Sequence, residues 1–200
     1  MAPLKDGPVS NLFTSLPLRG NCSLGDLAAA GLSEEMAAAA EHAPSGRCVC
    51  WGIPFAVRRP IVGKDKPVRA TVGGVRAKWL VFMHTSDTCP EQRDGQGFPT
   101  SKRGASAMGE RAADVVIVYA DGNEERAAVR RQQEVGPFAK RFWGQNCFAC
   151  VPHRRPRPLR AGHEEATKDW GRMLFRCDPM DAGPWLNWLW AWENPHPRKA

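Results

Sequence analysis

The chain has 200 residues, 42% of them hydrophobic and 24% charged, with a formal net charge of +7. A chain of this length buries roughly 70% of its unfolded surface, so it needs neither a disulfide nor a metal merely to fold. No run of about 18 apolar residues exists to cross a membrane as a helix, and Met1-Ala-Pro-Leu-Lys-Asp-Gly-Pro8 lacks the apolar stretch of a signal peptide.

With 19 glycines and 17 prolines, breakers are too frequent for a helical bundle, and strands and loops should dominate. Residues 1–20 read as an extended segment punctuated by Pro3, Pro8 and Pro17. Ser23 to His42 is the one helical candidate. Ser23 can cap it, Leu24, Leu27, Leu32 and Met36 give an apolar face, and Gly31 makes two short helices an equal alternative. Arg47 to Val57 is β-rich, with Pro54 confining it to an edge or bulge. Val68 to Val75 reads as a strand ending in Gly73-Gly74, a hairpin punctuation. Lys78 to His84 is an almost unbroken apolar run, expected to be a strand buried on both faces or nearly so.

Thr85 to Arg111 is a long polar loop of a size that compact domains seldom keep without a function. Asp114 to Ala120 is the next strand, Asp121-Gly122 a turn, and Glu124 to Arg131 the antiparallel return. Val135 to Lys168 is a second irregular excursion. Met173 to Cys177 and Trp185 to Trp192 then follow as strand-like runs, the second stopped by Asn194-Pro195. Strands joined by hairpins, with helix confined to one place, imply an all-β antiparallel sandwich with a short N-terminal helical segment and two long loops. Residues 1–45 should pack on a sandwich formed by residues 46–200.

Four pieces occur in a familiar order: Gly52-Ile-Pro-Phe55, Trp79-Leu-Val-Phe-Met-His84, Val118-Tyr-Ala-Asp-Gly122 and Trp192-Glu-Asn-Pro-His-Pro197. This order resembles that of the galactose-binding-like β-sandwich (jelly-roll) modules that accompany bacterial glycoside hydrolases and other secreted proteins, over roughly Gly46 to Arg198. The resemblance implies a jelly roll, and a role as an ancillary, carbohydrate-binding part of a larger secreted or envelope protein. Such modules continue with a further apolar strand, whereas this chain ends at Arg198-Lys-Ala200. A fragment lacking its last strand is the favoured expectation, an unpaired sheet edge the alternative. The Cys- and Arg-rich insertion from Gly136 to Lys168 has no counterpart in the resemblance.

Trp188, Trp190 and Trp192 share one face of a strand and are expected in the core, with Trp185 on the other face. Trp143 and Trp185, beside loops, are the candidates for stacking on a sugar ring. Arg154 and Arg155, in Arg154-Arg-Pro-Arg-Pro-Leu-Arg160, would supply hydrogen bonds and suit an acidic glycan. Its ordinary reading is a solvated extended loop. His84 and Asp87, three residues apart at a strand end, could bind a cation such as calcium or act as base and orienter. The ordinary reading is a histidine bonded to a nearby carbonyl.

Cys22, Cys48, Cys50, Cys89, Cys147, Cys150 and Cys177 are an odd number, so at least one thiol has no internal partner. Cys147-Phe-Ala-Cys150 with His153 (and His163) could hold zinc. Cys48-Val-Cys50 flanks no knuckle turn, and a thioredoxin-type role lacks its strand–helix setting. Free thiols, disulfides and metal ligation all stay open, with no cofactor required. The carboxylate pairs Glu124-Glu125, Glu164-Glu165 and Asp178/Asp181 make a poor glycosidase dyad. No P-loop, HExxH, nucleophile elbow or dinucleotide fingerprint is present.

The reading is therefore a non-catalytic module whose partner is carbohydrate or a neighbouring domain rather than nucleic acid. The alternatives are an assembly module packed on another domain or protomer, and a hydrolase using His84 and Asp87 or a thiol such as Cys147.

Overall fold

The computed structural model of the chain describes residues 5–64, 66–89, 93–98, 100, 107–139, 147–153 and 184–200. Among these, the strands in chain order are β1 (Gly46–Cys50), β2 (Ile53–Val57), β3 (Trp79–His84), β4 (Arg111–Val118), β5 (Glu124–Arg130), β6 (Val151–Pro152) and β7 (Trp188–Glu193). One α-helix, α1 (Glu34–Ala39), precedes them, flanked by 3-10 turns at Leu24–Asp26 and Ala40–His42. All strand pairing is antiparallel: β1 with β2, β4 with β5, and a three-stranded sheet in the order β3-β7-β6. Among the described residues the regular structure is thus chiefly antiparallel β, with one short helix.

The helical segment is broken in the middle. Gly31 adopts φ 82°, which a residue with a Cβ resists. The cap of α1 is Ser33, whose hydroxyl accepts the Met36 N–H at 3.1 Å. Ser23 provides no cap and donates instead to the Asp26 carboxylate. The β-rich stretch 47–57 folds back on itself at Trp51-Gly52, whose φ values of 51° and 81° are those a two-residue hairpin turn demands. Pro54 sits on β2, which pairs with β1 alone, so its missing N–H breaks no ladder. Val68 to Val75, expected as a strand, is extended chain outside every ladder. Val72 and Val75 are exposed there, so burial offers no reward for pairing. Met173 to Cys177 lies outside the described residues.

The β3–β7 register pairs Trp79 with Glu193, Phe82 with Trp190 and His84 with Trp188. Strand alternation then puts Trp188, Trp190, Trp192 and Phe82 on one face. That face carries the larger apolar cluster. Trp188, Trp190, Leu186 and Cys150 are buried with Val129 and Val135, and Phe82, Val115, Ala127, Cys147 and Trp192 pack around them. Val115, Ala127 and Val129 come from β4 and β5, so that hairpin lies on the tryptophan face. Trp188 is fully buried, and its indole N–H donates to the Pro137 carbonyl at 2.9 Å. A Cβ on Gly136 would stand 2.0 Å from that indole, so only glycine lets the backbone cross it. A second cluster of Cys22, Leu27 and Ala40 ties the N-terminal segment together and reaches Trp185.

Candidate functional site

The two ends of the β3–β7 ladder present the candidate groups. At the His84 end the polar side chains are taken up by the fold. His84 Nε2 donates to the Glu134 carbonyl at 2.8 Å, and its ring stacks on Trp190 at 6.0 Å and 5°. Burial pushes its pKa down to about 4, against the opposing pull of the Glu134 carbonyl and carboxylate. Glu134 itself is buried, which raises its carboxyl. The Arg130 guanidinium (2.7 and 3.1 Å) and the Arg130 N–H (2.9 Å) outweigh that and hold it below the usual range. Asp87 accepts from Ser33 N at 2.6 Å, Ser33 Oγ at 2.7 Å and Thr88 N at 2.8 Å, docking the start of α1 on the sheet. His84 and Asp87 are therefore joined to separate partners, not to each other.

Trp185 is half-buried. It packs on Phe138 at 5.8 Å and on the N-terminal cluster, and its N–H donates to Asn187 Oδ1 at 3.0 Å. It closes a gap between the sheet and the N-terminal segment. Trp143, Arg154, Arg155 and His163 lie outside the described residues.

The CxxC motif and His153 go to different places. Cys150 is buried in the larger cluster, and Cys147 packs against it. His153 Nε2 donates to Asp6 Oδ2 at 2.6 Å, both side chains being buried, while Asp6 Oδ1 accepts the Trp51 N–H at 2.6 Å. This pair ties the N-terminal strand-like segment to the β1–β2 turn and to the end of β6. Cys48 and Cys50 share a buried face, and the Cys50 thiol meets Met83 Sδ at 3.9 Å. Burial, then Asp6 and Cys48, pushes the Cys50 thiol up to about 12. Among the described residues no three His, Cys, Asp or Glu side chains converge with the geometry to hold a metal ion.

The opposite end of the ladder is open. Trp79 is 45% exposed, with Lys78 Nζ 5.9 Å from its ring centroid and Glu193 across the ladder. Lys78 reaches Glu193 at 3.9 Å. Both line an open depression of about 370 Å³ together with Asn194, Pro195 and Pro197. Its floor is fixed from below. Tyr119 Oη donates to the buried Asn194 Oδ1, and Asn194 Nδ2 donates to the Ala77 carbonyl at 2.8 Å. Burial, then Glu125, raises the Tyr119 pKa, so the phenol keeps the proton this bond requires. His196 to Glu125 (3.0 Å) and Lys199 to Asp121 (2.6 Å) strap the C-terminal residues over the β4–β5 turn. Two of the sequence motifs, Tyr119-Ala-Asp-Gly122 and Asn194-Pro-His-Pro197, thus meet in space.

The chain approaches this end through an exposed extended segment carrying Arg58, Arg59, Lys64, Lys66, Arg69, Arg76 and Lys78 against Asp65 in the sequence. Arg59 and Lys64 donate to the Asn21 and Gly31 carbonyls. Arg58, Lys66, Arg69 and Arg76 form no ion pair among the described residues. Trp79 and this basic segment escaped the sequence reading. The available signal was a tryptophan preceded by lysine at the first position of a largely apolar strand.

Compared with protein families, characterised proteins and solved structures, the chain matches none.

Proposed function

We propose that the chain is a non-catalytic binding module that holds carbohydrate at the Trp79 end of the β3–β7 ladder, an ancillary part of a larger secreted or envelope protein. The observation that carries this reading is a half-exposed indole beside an ammonium and a carboxylate that line an open depression. A sugar ring offers C–H groups to an aromatic face, while its hydroxyls need a few fixed polar partners. Lys78 and Glu193 supply polar groups at the surface, and Asn194 is held rigidly beneath them. The β4–β5 hairpin on the tryptophan face supports the two-layer jelly-roll arrangement of the galactose-binding-like modules. The basic segment leading into Lys78 favours an acidic glycan, because a row of cations attracts a polyanion over its length.

Affinity gel electrophoresis on a polyuronate and on a neutral polysaccharide tests the reading. Wild type should be retarded most by the polyuronate. Trp79→Ala should weaken binding at least about tenfold, or about 1.4 kcal/mol. Equal mobility of wild type with and without either polysaccharide overturns the reading.

One observation favours an assembly role instead. Among the described residues β6 is a sheet edge, and Phe148 and Val151 beside it are 78% and 51% exposed. Sedimentation of wild type against Val151→Lys decides it: a dimer lost in the variant supports assembly.

A further inference from the structure

We propose that Cys147 and Cys150 form a thiol–disulfide exchange site that reacts with low-molecular-weight disulfides of the glutathione type. The two cysteines are three residues apart, and Cys147 packs against the cluster in which Cys150 is buried. Cys147 is partly exposed, whereas Cys150 is 4% exposed within the core. The loop between them is docked by its backbone. Phe148 N donates to the Gln132 carbonyl at 3.1 Å and Ala149 N to the Gln133 carbonyl at 3.0 Å. The anchoring turn is fixed in its turn by Glu134 on Arg130 and by Gln132 at φ 57°. Both cysteines are therefore carried on one docked loop. Cys48 and Cys50 differ, since both are buried at 1% or less and admit no reagent.

The geometry divides the roles. Cys147, the accessible sulfur, attacks one sulfur of the small disulfide as its thiolate, breaking that S–S bond and releasing one small thiolate. Cys150, whose pKa is raised by the Cys147 thiol and by burial, is held as a neutral thiol and is the resolving group. It gives its proton to solvent and attacks Cys147 Sγ, expelling the second small thiol. The chain loses two electrons and two protons, and the small disulfide becomes two thiols. This exchange uses no part of the Trp79 surface and stands whether or not that surface binds glycan.

The test uses the full chain. It is equilibrated with oxidised or reduced glutathione, alkylated, and digested with trypsin. Residues 142–154 form one tryptic peptide that contains Cys147 and Cys150 and no other cysteine. The peptide should escape alkylation after oxidised glutathione and take two labels after reduced glutathione. Cys150→Ala should trap glutathione on Cys147, and Cys147→Ala should slow reaction at Cys150 at least about tenfold, because burial withholds the thiolate. Two labels after oxidised glutathione, or a bond from either cysteine to another peptide, overturns the assignment. The wild-type digest gives this answer even if a variant does not fold.

Discussion

The two ends of the β3–β7 ladder are built from the same two strands in the same register, yet their aromatic residues have opposite fates. At the His84–Trp188 end, the segment Glu134 to Phe138 crosses the ladder. It accepts from His84 and from the Trp188 indole, and seals both rings. At the Trp79–Glu193 end the chain instead passes underneath, through Asn194, and leaves Trp79 half-exposed. A tryptophan at a strand end is thus neither core nor ligand platform by its nature. What passes over it decides.

Five perturbations break or sharpen that contrast, from the largest to the smallest. Trp188→Ala should cost about 3–5 kcal/mol in urea unfolding, since it empties the centre of the larger cluster and orphans the Pro137 carbonyl. Gly136→Ala strikes the same contact from the other side, and a loss near 3 kcal/mol is expected. A near-neutral result for both would show that the segment over the ladder is not packed on it.

The pH dependence comes next. His84 has its folded pKa near 4, below the ordinary 6.5, so as pH falls the unfolded chain takes up the proton first. Its contribution is complete above pH 6.5 and is lost progressively down to about pH 4, on the order of 3 kcal/mol at most. His84→Gln should flatten the curve in that window. An unchanged slope would place the titration elsewhere.

At the open end the effects on stability should be smaller. Asn194→Ala unties the Tyr119 hydroxyl and the Ala77 and His196 carbonyls, and about 2 kcal/mol is expected from thermal or urea melts. Trp79→Ala should cost only about 1 kcal/mol while abolishing polysaccharide retardation, because half of the indole contacts nothing in the fold. If Trp79→Ala destabilises as much as Trp188→Ala, the two ends are equivalent and the open-end reading falls.

The strands were legible where the local pattern was strong. The apolar run from Trp79 to His84 and the alternation of Trp188, Trp190 and Trp192 carry the period of a strand, and Asp121-Gly122 carries its turn. The β1–β2 hairpin was read as one continuous stretch. Its turn begins with Trp51 at positive φ, a conformation tertiary contacts impose and composition does not announce. The candidate site was less legible. Trp185 looked like a loop-side platform because nothing local reveals that Phe138, 47 positions earlier, covers it. His153 looked like a partner of the CxxC motif by proximity in sequence, while its actual partner, Asp6, is 147 positions away.

By itself, the sequence determined the class of structure, the β4–β5 hairpin, and which face of the last strand would be apolar, because these depend on turn chemistry and on a two-residue alternation that each segment carries within it. Only the tertiary structure decided which aromatic would stay open to solvent, which histidine would lose its proton to burial, and which sulfurs would stand together. Those outcomes depend on what distant parts of the chain bring over each side chain, and no window of neighbouring residues contains that information.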